Sequence, residues 1–182
     1  MWLRTLALAV ATLSLVSACG GGAVSPTPVF GANTPSDLRA LTAETLSRVA
    51  EAVANQAECL DGLVVSGAWE LDDRARYDPA SSEMTVRIPA TAAQLETSIV
   101  HEMAHHMEFT CPQSEEVRRD FISAQGLPAD TAWFDGSSWE TTPSEQWATA
   151  LVLHVLGRPD ERARISVNAD AMEIVRAWAE GP

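Results

Sequence analysis

The sequence predicts an α+β domain that is mostly helical, with a small β-sheet placed before a helix that carries the motif H-E-x-x-H. The chain has 182 residues, of which 46% are hydrophobic and 20% charged, a composition typical of a globular domain. Five segments place apolar residues at helical spacing. Between the first two of these segments, from Gly62 to Ile88, the pattern changes to short alternating stretches that are typical of strands.

The first eighteen residues have the features of a secretory signal, so residues 1–18 are not expected to belong to the domain. Arg4 is followed by an apolar run from Leu6 to Val16 that is short for a transmembrane helix. The run ends in V-S-A-C, which resembles the bacterial lipobox, and this resemblance implies that Cys19 becomes a lipidated first residue. The alternative is an ordinary signal peptide cleaved near Ala18. We therefore expect an exported protein, anchored by lipid to the outer face of the bacterial cell membrane.

The segment after the signal is predicted to be a flexible tether over residues 19–35. It is rich in Gly, Pro, Ser and Thr, a composition that cannot bury a core. The domain is then predicted to span residues 36–182. Its formal charge of −13 for the whole chain argues against nucleic acid as a partner. We expect the domain to be a monomer that meets the membrane only through its lipid anchor.

The domain is predicted to start with a helix and to continue with two strands. SDLRALTAETLSRVAEAVANQAEC has apolar residues at helical intervals. LVVSGAW reads as a strand, DDRARYDPASS as a loop and turn, and MTVRIP as a second short strand.

The second half of the domain is predicted to be helical. Thr91 followed by Gln94 forms a capping box, so a helix is expected from there to about Phe109, before Pro112. EEVRRDFISAQ predicts the next helix. PSEQWATALVLHVLG predicts another, with a proline in its first turn and a glycine after its end, and NADAMEIVRAWAE predicts the last.

Two cysteines remain if Cys19 carries a lipid. In an oxidising compartment an even remainder indicates a disulfide, so Cys59 and Cys111 are predicted to pair. The alternative is two buried free thiols. A metal-ligand role for Cys111 is weaker, because there is no paired C-x-x-C in the sequence.

The segment SIVHEMAHHMEFTCP contains three of the four histidines of the chain. On a helix, His101 and His105 lie on one face and can bind a single ion. Glu102 is rotated away from that ion but can reach a water molecule bound to it. Zinc lowers the pKa of such a water, and the carboxylate accepts its proton as the water attacks a carbonyl. The alternative is a buried helix with incidental histidines.

A zinc site of this kind needs a third protein ligand. His106 faces elsewhere on the helix, and Glu108 lies too far along the axis, because the helix rises about 1.5 Å per residue. WETTPSEQWATAL offers Glu140 and Glu145. Glu145 starts a helix with an apolar face and is the favoured ligand, although T-P-S-E is also a capping box that could occupy its carboxylate. Glu140 is the alternative.

Together, HEMAHH and a glutamate about forty residues later in PSEQWATAL resemble the gluzincin metallopeptidases, and the small minigluzincins are the most similar in size. The resemblance covers about residues 84–157. It implies a zincin-like fold, a Zn²⁺ ion bound by His101, His105 and Glu145, and Glu102 as general base. It also implies that an edge strand before the active-site helix holds the substrate backbone, and MTVRIP occupies that place.

Two further details concern residues around the metal. Many gluzincins have an aspartate four residues after the glutamate ligand to orient a histidine, and this chain has Thr149 there. A further group should stabilise the oxyanion of the intermediate. Tyr77 and His154 are both candidates, although His154 is about half a turn out of phase with Glu145.

The sequence thus predicts a zinc-dependent metalloendopeptidase acting on a peptide or protein substrate. One alternative is a catalytically inactive zinc-binding lipoprotein that serves as a binding or interaction module, although a purely structural site has no need of Glu102. Another alternative is an interaction module without metal.

Overall fold

A computed structural model of the protein describes residues 26–111, 114–159 and 164–181. These residues form an α+β structure, as predicted, and no helix among them is both long and apolar enough to cross a membrane. The signal segment and Cys19 lie outside the described residues. In chain order the elements are β1 (Val29–Phe30), α1 (Ser36–Ala52), a 3-10 helix (Ala54–Leu60), β2 (Val64–Ala68), β3 (Ala75–Asp78), β4 (Glu83–Arg87), α2 (Ala92–Thr110), α3 (Ser114–Ala124), a second 3-10 helix (Trp139–Thr141), α4 (Pro143–Leu156) and α5 (Ala169–Glu180).

The four strands form one sheet in the order β1-β2-β4-β3. β1, β2 and β4 are parallel, and β3 is antiparallel to β4 at one edge. The side chains of Val65, Met84 and Val86 are completely buried, since β-branched and long apolar residues alternate with polar ones along these strands. β3 and β4 pack against α2, which places one edge of the sheet beside the histidines.

The prediction of a loop and turn over residues 72–82 was wrong for its central part. Residues 75–78 form β3, with Tyr77 opposite Met84 on β4. This strand lacks an apolar run because only Ala75 and Tyr77 face inward, and both are half-buried. The MTVRIP strand is therefore β4, an inner strand, and β3 is the edge strand next to α2.

The folded part of the chain begins earlier than the predicted boundary between tether and domain. β1 lies within the predicted tether, and the Val29 N–H donates to the Leu63 carbonyl over 2.9 Å. A Cβ at Gly31 would lie 2.5 Å from Ser66 Oγ, so a larger residue here would displace the Ser66 side chain from its hydrogen bond with Glu83. The composition of this segment does not reveal the pairing, because β2 supplies the hydrogen-bond partners from a distant part of the sequence.

The helix with the H-E-x-x-H motif is the central element of the core. The predicted capping box is confirmed, because Thr91 Oγ1 accepts from the Gln94 N–H over 3.3 Å and the Gln94 side chain accepts from the Thr91 N–H over 3.3 Å. α2 ends at Thr110, and its buried face includes Val100 and Met103, both without exposed surface. α2 also packs against α1 and α4.

The end of α2 is held by the predicted disulfide, which is confirmed. Cys59 and Cys111 are bonded across 52 residues, with their Cα atoms 5.3 Å apart. Thr110 Oγ1 also donates to the Cys59 carbonyl over 2.6 Å. The C-terminal end of α2 is thereby fixed to the first 3-10 helix.

α4 begins and ends as the sequence predicts. Pro143 is its first residue, and Gly157 after its last turn has a φ of 64°, a left-handed conformation that favours glycine. The middle of α4 packs through aromatic rings, since Trp147 lies 5.0 Å from Trp178 of α5 and 5.4 Å from Phe121 of α3 between ring centroids. α4 is thus held firmly enough to present its first turn at a fixed position beside α2.

Candidate metal centre

The two histidines of the motif point in the same direction from α2. Their spacing of four residues places them one turn apart on one face, as the sequence predicts. His101 Nε2 and His105 Nε2 lie 3.2 Å from each other, and both side chains are 14% exposed. Both Nε2 atoms can therefore approach a single ion from one side.

A carboxylate from α4 completes the group. Glu145 Oε2 lies 2.9 Å from His101 Nε2, and Glu145 Oε1 lies 3.5 Å from His105 Nε2. Glu145 does not serve as a cap of α4, because the Thr142 N–H donates to the Trp139 carbonyl over 3.3 Å and both Glu145 oxygens face the histidines. Glu140, the alternative ligand, is exposed on the second 3-10 helix and does not line the cleft.

The geometry of these three side chains fits a metal ion. A tetrahedral ion with bonds of about 2.05 Å holds its ligand atoms about 3.3 Å apart. The observed separations are 3.2 Å between the two Nε2 atoms, 2.9 Å from His101 Nε2 to Glu145 Oε2 and 3.5 Å from His105 Nε2 to Glu145 Oε1. One ligand atom from each residue lies within 4.8 Å of the other two. His101, His105 and Glu145 form the group that could hold a metal among the described residues, and all three line the same cleft.

The contacts within this group shift the pKa values of Glu145 and His105. Burial alone would raise the pKa of Glu145, but hydrogen bonds with His101 and His105 outweigh this effect and lower its pKa to about 2. Burial alone would lower the pKa of His105, but its contacts with Glu108 and Glu145 raise that pKa well above the usual value. A site that concentrates negative charge around two histidines in this way attracts a cation.

Glu102 lies beside the three candidate ligands and lines the same cleft. Its side chain is nearly buried, and this burial is the main reason that its pKa is raised; the neighbouring His101 and His105 oppose the shift. A hydrogen bond from the Tyr77 backbone of β3 also reaches the carboxylate. Glu102 of α2 is therefore held against the edge strand, next to the candidate ligands.

Glu108 has a role that the sequence analysis missed. It is not one of the three candidate ligands, as its axial position predicts, but its carboxylate is completely buried behind them. It contacts His105 Nδ1 over 2.7 Å, and it accepts hydrogen bonds from Trp133 Nε1 over 2.8 Å and from Ser144 Oγ over 2.9 Å. Because Glu108 engages Nδ1, the Nε2 atom of His105 is left for the ion. The signal in the sequence was the spacing of three residues between His105 and Glu108, which places the two side chains in contact on a helix.

His106 faces away from the candidate ligands, as predicted, and is completely buried. Its Nε2 lies 3.2 Å from the Asp61 carbonyl and its Nδ1 lies 2.9 Å from the Tyr77 hydroxyl. Burial lowers its pKa, so a neutral ring donates from Nε2 and accepts at Nδ1. The Tyr77 hydroxyl therefore donates to His106, although Tyr77 also lines the cleft.

The remaining two predicted residues do not reach the cleft. His154 is near the C-terminal end of α4 and points away from the cleft, as its phase on the helix predicts. Its Nε2 lies 3.0 Å from the Ala52 carbonyl of α1. The Thr149 hydroxyl is buried and has no hydrogen-bond partner among the described residues. The group that orients a histidine is thus Glu108 on α2, and Thr149 makes no such contact.

The candidate ligands lie at the bottom of a cleft of about 560 Å³. The edge strand β3 forms one wall. The sequence analysis did not identify the aromatic side chains of the rim, because exposed aromatic residues have no distinctive spacing. They are Phe109, Phe134 and Trp139.

Comparison with known proteins gives no match: no family model, no curated protein and no solved structure is similar to this chain.

Proposed function

We propose that this protein is a zinc-dependent metalloendopeptidase of gluzincin type. The observation that carries the proposal is the convergence of His101 Nε2, His105 Nε2 and the Glu145 carboxylate, with Glu102 beside them in one open cleft. Two imidazoles and one carboxylate with an open fourth position are the donor set of catalytic zinc sites in peptidases. When bound there, zinc would lower the pKa of a coordinated water and polarise the carbonyl of the scissile bond.

Two further residues, Glu102 and Glu108, have separate roles in the proposed reaction. Glu102 accepts the proton of the attacking water and passes it to the leaving amine, which is the role of a general base followed by that of a general acid. Glu108 keeps the His105 ring in the orientation that directs Nε2 towards the ion.

The substrate backbone is held, in this proposal, by the edge of β3 rather than by the MTVRIP strand. The Arg87 N–H donates to the Arg74 carbonyl, so Arg74 and Arg76 direct their backbone groups towards β4. In an antiparallel pair the intervening residues Ala75 and Tyr77 direct theirs away from β4, towards the cleft. The Tyr77 N–H is engaged by the Glu102 carboxylate, so an extended peptide can pair with the backbone of Ala75 and with the Tyr77 carbonyl of this edge.

The role of stabilising the oxyanion is assigned neither to Tyr77 nor to His154. His154 lies outside the cleft, and the Tyr77 hydroxyl already donates to His106. The proposal therefore depends on the three candidate metal ligands and on Glu102.

The test measures zinc content and peptide hydrolysis of the full chain and of single variants. His105→Ala and Glu145→Ala should lose the metal and the activity, because each removes one of three ligands. Glu102→Gln should keep stoichiometric zinc and lose nearly all turnover, because it removes only the base. Glu140→Ala is the matched control, since it removes an exposed carboxylate three residues before α4, and it should change neither quantity. A wild-type protein that binds no zinc on titration would contradict the proposal.

The same experiment separates the enzyme from an inactive zinc-binding module. A module would bind zinc through the same three ligands and would show no hydrolysis in the wild type. Glu102→Gln would then have no consequence for any measured property.

We also propose that the protein is exported and tethered to the outer face of the cell membrane through a lipid on Cys19, and that it acts there as a monomer on peptides or proteins. The support is the V-S-A-C sequence and the negative charge of −13, which disfavours nucleic acid as a partner.

A further inference from the structure

The cleft carries exposed aromatic surface beside the candidate metal ligands. Among the described residues, Phe109, Phe134 and Trp139 keep 50%, 52% and 42% of their surface exposed, and all three line this one cleft. Exposed apolar surface is unfavourable in water, and its concentration at one place marks a binding surface. The rim of the cleft is therefore suited to an apolar ligand group.

Two of these side chains form a stacked aromatic pair, called the platform below. The Phe109 and Phe134 rings stack with centroids 5.2 Å apart and an angle of 9° between planes. Phe109 is on α2, and Phe134 belongs to the segment between α3 and α4. The Arg118 guanidinium lies 5.1 Å from the Phe134 ring and donates to the Glu108 carbonyl over 2.7 Å. On the other side, the Tyr77 ring lies 6.1 Å from the Phe109 ring between centroids. Contacts from α3 and β3 therefore hold the pair before a ligand arrives.

The platform lies close to the position expected for the scissile bond. Phe109 follows His105 by four residues, which is about 6 Å along a helix. Alternate side chains of an extended peptide are separated by about 7 Å. In the proposed mechanism, the bond to be cleaved lies next to His105. A peptide paired with the edge of β3 would thus have, within two residues of that bond, a side chain that packs on the platform.

We propose that the site selects peptides with a large apolar side chain, such as Phe or Leu, which packs on the platform formed by Phe109 and Phe134. This inference rests on the proposed peptidase function. The open edge of β3 favours an extended peptide as the occupant over a glycan, which has no backbone amides to pair with a strand.

The test uses the zinc-loaded full chain and a set of polar peptides that differ at one residue: Phe, Leu, Ala or Glu. Cleavage sites are identified by mass spectrometry, and kcat/KM is measured for each peptide. The Phe and Leu peptides should be cleaved at least about tenfold better than the Ala and Glu peptides, since a buried large apolar side chain contributes strongly to binding. Cleavage should lie within two residues of the varied position.

Phe134→Ala should reduce this preference to about threefold or less, and Phe134→Leu should retain part of it. Trp69→Ala is the matched control: Trp69 is 72% exposed and lies outside the cleft, so its removal should leave the preference unchanged. A preference that is absent in the wild type, or that is unchanged in Phe134→Ala, would overturn the inference.

A binding measurement separates this inference from the proposed function. The zinc-loaded Glu102→Gln variant should bind the Phe peptide at least about tenfold more tightly than the Ala peptide. If the wild type cleaves no peptide but this binding preference is found, the peptidase proposal fails and the ligand class stands. If cleavage is observed without any apolar preference, the peptidase stands and the ligand class is wrong. Displacement of the peptide by a soluble oligosaccharide, dependent on Phe134, would also overturn it.

Discussion

Glu108 shows how the position of one side chain along a helix decides its role. Three residues after His105, its carboxylate cannot reach the same ion as His101, yet it points into the space behind His105. There it is buried and makes three hydrogen bonds, with His105 Nδ1, Trp133 Nε1 and Ser144 Oγ. A buried carboxylate is tolerated only when it is paired in this way. The charge on Glu108 therefore serves the orientation and basicity of His105.

The Glu108→Gln substitution is expected to weaken zinc binding about 10- to 100-fold, as is usual for the loss of a group that orients a histidine ligand. The amide oxygen can still accept from Trp133 at the position of Oε1. The amide nitrogen then takes the position of Oε2, where it meets Ser144 Oγ and the Nδ1–H of His105, so the ring must turn or change its tautomer. Competition with a chromophoric chelator measures the affinity.

Glu115→Gln is the matched control, since Glu115 is an exposed carboxylate on the neighbouring helix α3. It should leave the zinc affinity unchanged. A Glu108→Gln protein that is folded by circular dichroism and binds zinc within twofold of the wild type would contradict the role assigned to Glu108.

At the scale of elements, α2 is fixed at its two ends by different means. The capping box satisfies backbone donors at its start, and the disulfide attaches its C-terminal end to the first 3-10 helix. Between them α2 carries two of the three candidate ligands and Glu102. The third ligand comes from the first turn of α4, whose aromatic packing fixes its distance from α2.

Replacement of both Cys59 and Cys111 by serine is expected to lower the free energy of unfolding by about 4 kcal/mol. The estimate comes from the entropy that a bridge across 52 residues removes from the unfolded chain. Urea unfolding of the oxidised wild type and of the double variant measures the difference. Cys19→Ser is the matched control, because it removes a cysteine without opening this bridge, and an unchanged unfolding midpoint in the double variant would refute the expectation.

At the scale of the whole molecule, the cleft lies in a domain that begins by Val29, so the chain between Cys19 and the domain is shorter than the predicted tether. Only residues 20–28 separate the proposed lipid anchor from β1. An extended segment of nine residues spans at most about 30 Å. We therefore expect the domain to stay close to the membrane surface when it is anchored.

The Cys19→Ser substitution is expected to move the protein from the membrane fraction to the soluble fraction, since it removes the site of lipid attachment. Fractionation of cells that express the full chain, followed by immunoblotting, measures the distribution. Cys59→Ser, a cysteine substitution within the domain, should leave the protein in the membrane fraction. Retention of Cys19→Ser in that fraction would count against lipid anchoring.

The sequence by itself determined the features that depend on residues close together in the chain. Helical spacing predicted α2 with His101 and His105 on one face, and local cap and turn residues predicted where α2 and α4 begin. The number of cysteines predicted the bridge between Cys59 and Cys111. Each of these inferences used only periodicity, local hydrogen bonding or residue counts, which are properties of short segments.

Only the tertiary structure decided the features that depend on elements meeting across the sequence. It brought Glu145 to the histidines in preference to Glu140, placed Glu108 behind His105, and made β3 the edge strand although its residues read as a loop. It also joined β1 to β2 and assembled the platform of Phe109 and Phe134. The physical reason is that pairing, burial and charge contact depend on distances in space, and residues far apart in the chain acquire those distances only when the core packs.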